Sequence, residues 1–271
     1  FVSLLIILSG VLLSQNIERK IVIQNGNYFF TTIDDENQLA TLWTGKDSSA
    51  IKTAKKLAIP AGRNYNDPIN PFSWDVSGKN LYAVSFFMHP LNDRNEAIKR
   101  IDIASLKEWS EAVTQITMIN QSIDMSPFAY NDPYQCVIKR SNTLNNFFFD
   151  AIALSDSSFY MAIANNGELS IWNYNGKEWR QGDVQNFPLK GYFSLFAHKN
   201  KVYLATNAGG LYEVSGKEIA DTKNKSVGTT LSSCILVVNK DDDSVWYLKN
   251  NDIDQRTPLN LLITKKAKRI F

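Results

Sequence analysis

Cysteine and histidine are almost missing from this chain. Its 271 residues hold two of each, Cys136 and Cys234, His89 and His198. Zinc sites draw three or four such ligands together at short spacing, and these four are scattered, so no metal site is read. A disulfide framework is equally out of reach. The contexts Gln135-Cys136-Val137 and Ser233-Cys234-Ile235 read as two buried thiols in strands, with a single disulfide between them as the alternative that export would permit. Net charge is also scarce. Lys and Arg total 29 against 27 Asp and Glu, a formal +2, with no basic stripe of the kind that tracks nucleic acid. The one local excess, Lys265, Lys266, Lys268 and Arg269, reads as a solvated terminal segment.

Motifs of chemistry are missing as well. No Gly-x-Ser-x-Gly elbow occurs, neither histidine has a recognisable catalytic partner, and no phosphate-cradling Gly-x-x-x-x-Gly-Lys loop is present. No cofactor is therefore expected. Long apolar runs are confined to residues 1–14, Phe-Val-Ser-Leu-Leu-Ile-Ile-Leu-Ser-Gly-Val-Leu-Leu-Ser. A membrane span needs about 20 residues. This stretch instead fits the core of a partial signal peptide, cut after Ser14 to leave Gln15 first. The expectation is an exported protein, secreted, periplasmic or on the cell surface, with no membrane span once the signal is gone.

What remains is strand grammar. Hydrophobic residues make up 44% and aromatic residues 12%, enough for a core and suited to pleated, half-buried surfaces. One stretch, Ile103–Val113, has apolar residues at Ile103, Leu106, Trp109 and Val113, a spacing that predicts a short helix. Elsewhere five hairpins fit one template of strand, polar turn and strand. The paired runs are 28–33 with 38–43, 72–76 with 81–86, 149–154 with 159–163, 192–197 with 202–206, and 233–238 with 244–248. Their turns begin at 34, 77, 155, 198 and 239, giving intervals of 43, 78, 43 and 41. The double interval leaves room for a sixth, degenerate unit near residue 117. Six units of about 42 residues match one four-stranded propeller blade each.

The fold class expected is thus all-β: a β-propeller of six blades, with five or seven as alternatives, built of four-stranded antiparallel sheets. Residues 15–271 form one domain on this reading. Asn165-Asn166-Gly167 marks a further tight hairpin inside one unit. The strand around Ile17–Ile23 is expected to complete the last blade by pairing with Leu259–Thr264.

The run Val202-Tyr-Leu-Ala-Thr-Asn-Ala-Gly-Gly-Leu-Tyr-Glu-Val214 resembles blades of bacterial sensor propellers and of related exported propeller repeat proteins. That resemblance implies blade geometry and leaves function open. The expectation is a non-enzymatic propeller that binds a protein, peptide or glycan ligand, with no nucleic-acid partner. A second repeat, Tyr65-Asn-Asp-Pro68 and Tyr130-Asn-Asp-Pro133, precedes predicted strands and forms turns through proline and aspartate. Tyr65, Asp67, Tyr130 and Asp132 are the candidate ligand contacts at one rim. Asp67-Pro68 through Tyr82 also resembles the opening of five-bladed propeller glycosidases. In that alternative Asp67 would be the general base, but no carboxylate in a matching motif stands as its acid. Glu168 and Glu213 read as solvent-facing strand residues. Asp241-Asp242-Asp243 reads as a hairpin tip, since it lacks the glycine and distal glutamate of a calcium loop. The six tryptophans, 43, 74, 109, 172, 179 and 246, read as packing between sheets.

Overall fold

The computed structural model describes residues 16–33, 40–57, 72–85, 98–113, 148–165, 168–182, 185–186, 193–206, 210–215, 218–221 and 234–271. Strands dominate these residues. In chain order come β1 (Asn16–Gln24), β2 (Asn27–Ile33), β3 (Ala40–Lys46) and β4 (Lys55–Leu57). Next are β5 (Phe72–Ser77), β6 (Asn80–Ser85), β7 (Ile98–Asp102) and β8 (Ser110–Val113). A third group is β9 (Phe148–Ser155), β10 (Ser158–Asn165), β11 (Glu168–Tyr174), β12 (Trp179–Gln181) and β13 (Gln185–Asn186). Then follow β14 (Phe193–His198), β15 (Lys201–Thr206), β16 (Leu211–Ser215) and β17 (Glu218–Asp221). The last are β18 (Cys234–Asn239), β19 (Ser244–Lys249), helix α1 (Leu259–Lys266) and β20 (Lys268–Arg269). The expectation of a chiefly β chain holds. The chain divides into two compact units, residues 1–58 with 233–271, and residues 59–232.

The first unit is one seven-stranded sheet, ordered β20-β19-β18-β1-β2-β3-β4. Asn25-Gly26 joins β1 to β2, with φ of +52° and +64°. Those values are what a primed hairpin turn requires, and Asn-Gly is the dipeptide that adopts them most cheaply. The sequence pattern carried this hairpin signal, although the template above did not use it. Strand β1 also pairs in parallel with β18, from Lys20 opposite Leu236 to Ile23 opposite Asn239. Its core is built from Ile21, Ile23, Tyr28, Phe30, Ile235, Val237 and Leu248, with Leu259, Leu262 and Ile263 laid over them.

Two expectations are corrected here. Leu259–Thr264 is no strand. It lies in α1, and β1 pairs with β18 instead. The apolar residues Leu259, Leu262 and Ile263 recur at helical spacing behind Pro258, and all three are buried. The first helical amides, which no helix can satisfy internally, donate to a loop: Leu259 N to the Ser49 carbonyl at 3.2 Å and Asn260 N to the Asp47 carbonyl at 3.0 Å. Lys265 and Lys266 occupy the last turn, where cations suit the helix dipole. The second correction concerns Ile103–Val113, which is a turn followed by β8. Asp102 Oδ1 accepts the amides of Ala104 (2.9 Å) and Ser105 (3.0 Å), and Leu106 takes φ +49°, outside the helical region.

The second unit holds three sheets. Two are four-stranded meanders, β5-β6-β7-β8 and β14-β15-β16-β17, and between them in sequence lies β12-β11-β10-β9 with β13 beside β11. All five template hairpins are present, as β2–β3, β5–β6, β9–β10, β14–β15 and β18–β19. Asn165 pairs with Glu168, so the tight β10–β11 connection is also as expected. Gly78 opens the β5–β6 turn at φ +56°, and Lys199-Asn200 make the β14–β15 turn at +48° and +60°. Apolar faces of neighbouring sheets meet in one cluster: Ile152, Ala162, Leu169 and Ile171 against Phe193, Leu195, Val202, Leu204 and Val214. The proposed sixth unit near residue 117 lies outside the described residues, as do residues 1–15.

Tyr28 shows how tightly the first unit is built. It lies directly opposite Gly45 in the β2–β3 ladder, is fully buried, and donates its hydroxyl to the Ala50 carbonyl at 3.1 Å. A Cβ added at Gly45 would meet the Tyr28 ring at 2.4 Å. Gly45→Ala must therefore displace a locked ring. The expected outcome is a loss of about 1–3 kcal/mol, read as a lower urea midpoint at unchanged slope.

Candidate functional site

The four residues singled out from sequence, Tyr65, Asp67, Tyr130 and Asp132, all lie outside the described residues. Cys136 and His89 do too. Apart from Lys20 on β1, the buried charged groups that are described lie along the first strands of the three sheets in the second unit. Each of β5, β9 and β14 is the edge strand of its sheet. An edge strand turns alternate amides away from its own ladder, and in a protein interior those amides need another acceptor.

The acceptors come from the neighbouring edge strand. Asp150, on β9 and 2% exposed, accepts Leu195 N of β14 on Oδ2 at 2.8 Å. Its other oxygen, Oδ1, accepts Ala151 N at 3.0 Å and the Ser73 hydroxyl from β5. Ser73 Oγ in turn accepts Ala151 N at 2.9 Å. One step along, Asp75 of β5 accepts Ala153 N of β9 on Oδ2 at 2.9 Å. Ala151 and Ala153 are two apart, so both amides point out of the same edge of β9. At the strand end Ser77 donates its hydroxyl to the Leu154 carbonyl at 3.1 Å. The result is a polar seam, β5 to β9 to β14, made of side chain to main chain bonds and the Ser73–Asp150 side-chain bond.

The far end of the seam carries a second cluster. Tyr82 is buried and donates its hydroxyl to Asp156 Oδ1, which also accepts Asn80 Nδ2 at 3.1 Å. Burial first, and then the bond to Asp156, push the Tyr82 phenol up to about 12. The same bond, with that of Asn80, holds the exposed Asp156 carboxyl below its ordinary value. Edge-to-face contact with Phe159, centroids 5.1 Å apart, fixes the Tyr82 ring.

Chemically the seam is a set of engaged acceptors. A general base needs a lone pair aimed at substrate, whereas Asp75, Asp150 and Asp156 already receive protein donors. The remaining sequence candidates are placed as follows. His198 is buried at the end of β14, 6.5 Å from the Tyr203 ring, which stacks on Phe196 at 5.5 Å. Glu213 pairs with the exposed Lys201 at 2.9 Å. Asp241 closes the β1–β2 turn by accepting Asn25 N at 2.6 Å and Gly26 N at 2.9 Å. Trp74 and Trp172 are buried, and Trp43 and Trp246 half-buried. Indole N–H groups are met by hydroxyls on their own sheets: Trp43 by Thr32 (2.8 Å), Trp172 by Ser170 (3.3 Å) and Trp246 by Ser244 (2.8 Å).

Sequence reasoning passed over Asp75 and Asp150. The signal was there: a lone carboxylate inside Phe-Ser-Trp-Asp-Val and Phe-Phe-Asp-Ala-Ile, where a strand core would not take one without donors.

No family model and no curated protein sequence matches the chain. Among solved structures it is similar to glutaminyl cyclase of Myxococcus xanthus, at 8% identity and TM-score 0.41, covering 94% of this chain and 89% of that one. It is also similar to an exo-beta-1,3-galactanase of Phanerochaete chrysosporium, at 9% identity and TM-score 0.45, with 85% of this chain covering 55% of that one. A bifunctional GH43-CE protein of Bacteroides eggerthii shows 12% identity and TM-score 0.31, with 68% of this chain covering 29% of that one. This chain thus spans about half of the galactanase and under a third of the bifunctional protein. Scores and identities of this size carry no argument about what this chain does.

Two outcomes follow from the seam. Asp150→Asn replaces an acceptor of three donors by a group that must turn an NH2 toward one of them. Stability should fall by roughly 1.5–3 kcal/mol, while Glu178→Gln, which breaks an exposed pair with Arg180, should change it by less than about 0.5 kcal/mol. Chemical denaturation of both variants decides. The second outcome is alkaline. Folding favours the neutral Tyr82 phenol, so its contribution is complete below the ordinary value of 10.0 and is lost as pH rises through about 12. Denaturation at pH 9 and pH 11 should show a steeper loss in the wild type than in Tyr82→Phe.

Proposed function

We propose that the chain is an exported, non-enzymatic β-propeller that binds a protein, peptide or glycan on one rim. The observation that supports this best is the side-by-side arrangement of β5, β9 and β14. Three successive meanders each set their first strand against the next, joined by Asp75, Ser73 and Asp150. In a propeller the first strands line the axis, and the loops leading into them gather at one rim. On this reading Tyr65-Asn-Asp-Pro68 leads into β5, and Tyr130-Asn-Asp-Pro133 lies in the connection ahead of β9. Tyr65, Asp67, Tyr130 and Asp132 would then present two phenols and two carboxylates to one ligand, with specificity set by loops on a rigid frame. Because β5 bonds directly to β9, this reading takes the five-blade alternative over six, and residues 1–14 are its export signal.

The reading as a glycoside hydrolase with Asp67 as base requires a second carboxylate about 5–9 Å away. The buried carboxylates described here are engaged by protein donors, which favours binding over hydrolysis. A glycan array, run beside affinity capture from the source organism's envelope fraction, tests the proposal. Binding of a glycan or an envelope protein that weakens at least tenfold in Tyr65→Ala/Tyr130→Ala is the expected result. Release of reducing sugar from a bound glycan, abolished in Asp67→Asn, would replace this reading with the hydrolase.

A further inference from the structure

The segment from Gln255 to Phe271 holds five cations, Arg256, Lys265, Lys266, Lys268 and Arg269, and no carboxylate, in a chain whose total is +2. The last four are all exposed, and none lies within ion-pair distance of an Asp or Glu side chain among the described residues. They are held in place by structure. Lys265 and Lys266 end α1, and Arg269 lies over the Trp246 ring at 5.4 Å with its Nε donating to the Phe271 carbonyl at 2.7 Å. Lys268 lies 6.0 Å from the Tyr247 ring. Trp246 packs against the same core cluster as Leu259, Leu262 and Ile263. Arg269 therefore sits on the side of the sheet that carries α1, together with Lys265 and Lys266.

On the outer side of α1 stands Leu261, 46% exposed, the one large hydrophobic residue so exposed among the described residues. It precedes Lys265 by four positions, one helical turn, so the two share a face. We propose that the Leu261–Lys265 face of α1, with Lys266 at the helix end and Arg269 on the same side of the sheet, docks the protein onto anionic lipid headgroups. Fixed cations are drawn to a negatively charged leaflet, by about fivefold in affinity for each. An apolar side chain among them gains by entering the boundary between headgroups and acyl chains. A soluble polyanion such as an acidic polysaccharide would engage the cations and leave Leu261 in water, so the exposed leucine favours lipid. The mode is peripheral: no described helix is long and apolar enough to cross a membrane.

Co-sedimentation of the full chain with vesicles tests this, using equal parts phosphatidylglycerol and phosphatidylcholine against phosphatidylcholine alone. Pelleting with the anionic vesicles only, reversed by about 0.5 M salt, is expected. Lys265→Glu/Lys266→Glu should weaken it by about tenfold or more, and Leu261→Ser should weaken it without changing its salt dependence. Thermal unfolding confirms that each variant is folded, and Lys265→Gln/Lys266→Gln takes the place of the charge reversal if that variant is not. Equal pelleting with both vesicle types, or wild-type pelleting by the folded lysine variants, overturns the proposal. So does retention on heparin without vesicle binding, which would make the face a polysaccharide site.

Discussion

Strand edges in a protein interior carry amides that their own sheet cannot satisfy. This constraint organises the second unit. β9 and β14 each turn amides outward, at Ala151, Ala153 and Leu195, and each receives an acceptor from a side chain of the strand before or of its own edge. A carboxylate withdrawn from water is costly unless donors meet it. An unmet amide is costly in the same way. Pairing the two removes both costs and fixes the register between sheets that share no backbone ladder. Apolar packing between faces is tolerant of sliding. The seam at Ser73, Asp75 and Asp150 is not, because a shift of one residue would turn the outward amides inward.

The first unit meets the same constraint in another way. There the first strand of the meander, β1, is paired by a parallel ladder to β18, so its outward amides have main-chain acceptors. Polar side chains are used at turns instead. Asp241 holds the Asn25-Gly26 turn, while main-chain carbonyls of Asp47 and Ser49 receive the first amides of α1. In both units the buried or half-buried polar groups named here serve architecture. On the proposed readings, recognition falls to Tyr65, Asp67, Tyr130 and Asp132 and to the exposed cations around α1.

Much of the strand pattern was legible in the sequence, because period-two alternation and turn chemistry are local. Gly78 and Lys199-Asn200 mark turns that the chain makes, and Asn165 pairs with Glu168 as the Asn-Gly signal predicts. What failed was also local, and instructive. Ile103, Leu106, Trp109 and Val113 have helical spacing, yet Asp102 captures two amides and starts a turn, so a capping preference overrode periodicity. At Leu259–Thr264 the reverse happened: five apolar or β-favouring residues read as strand, while Pro258 and a buried face of Leu259, Leu262 and Ile263 made a helix. The seam was legible only in part. An aspartate in an apolar run announces that donors must be near, but donors on a strand 45 residues away, such as Leu195 for Asp150, are a tertiary fact that no local rule supplies.

Amide hydrogen exchange at single-residue resolution reads the seam directly. Leu195 N–H points out of its sheet and owes its protection to the Asp150 carboxylate alone. It should exchange as slowly as ladder amides of β15, and should speed up selectively, with Ala151, when Asp150 is replaced by asparagine. Exchange of Leu195 as fast as that of the exposed turn at Lys199-Asn200 in the unaltered protein would contradict the account.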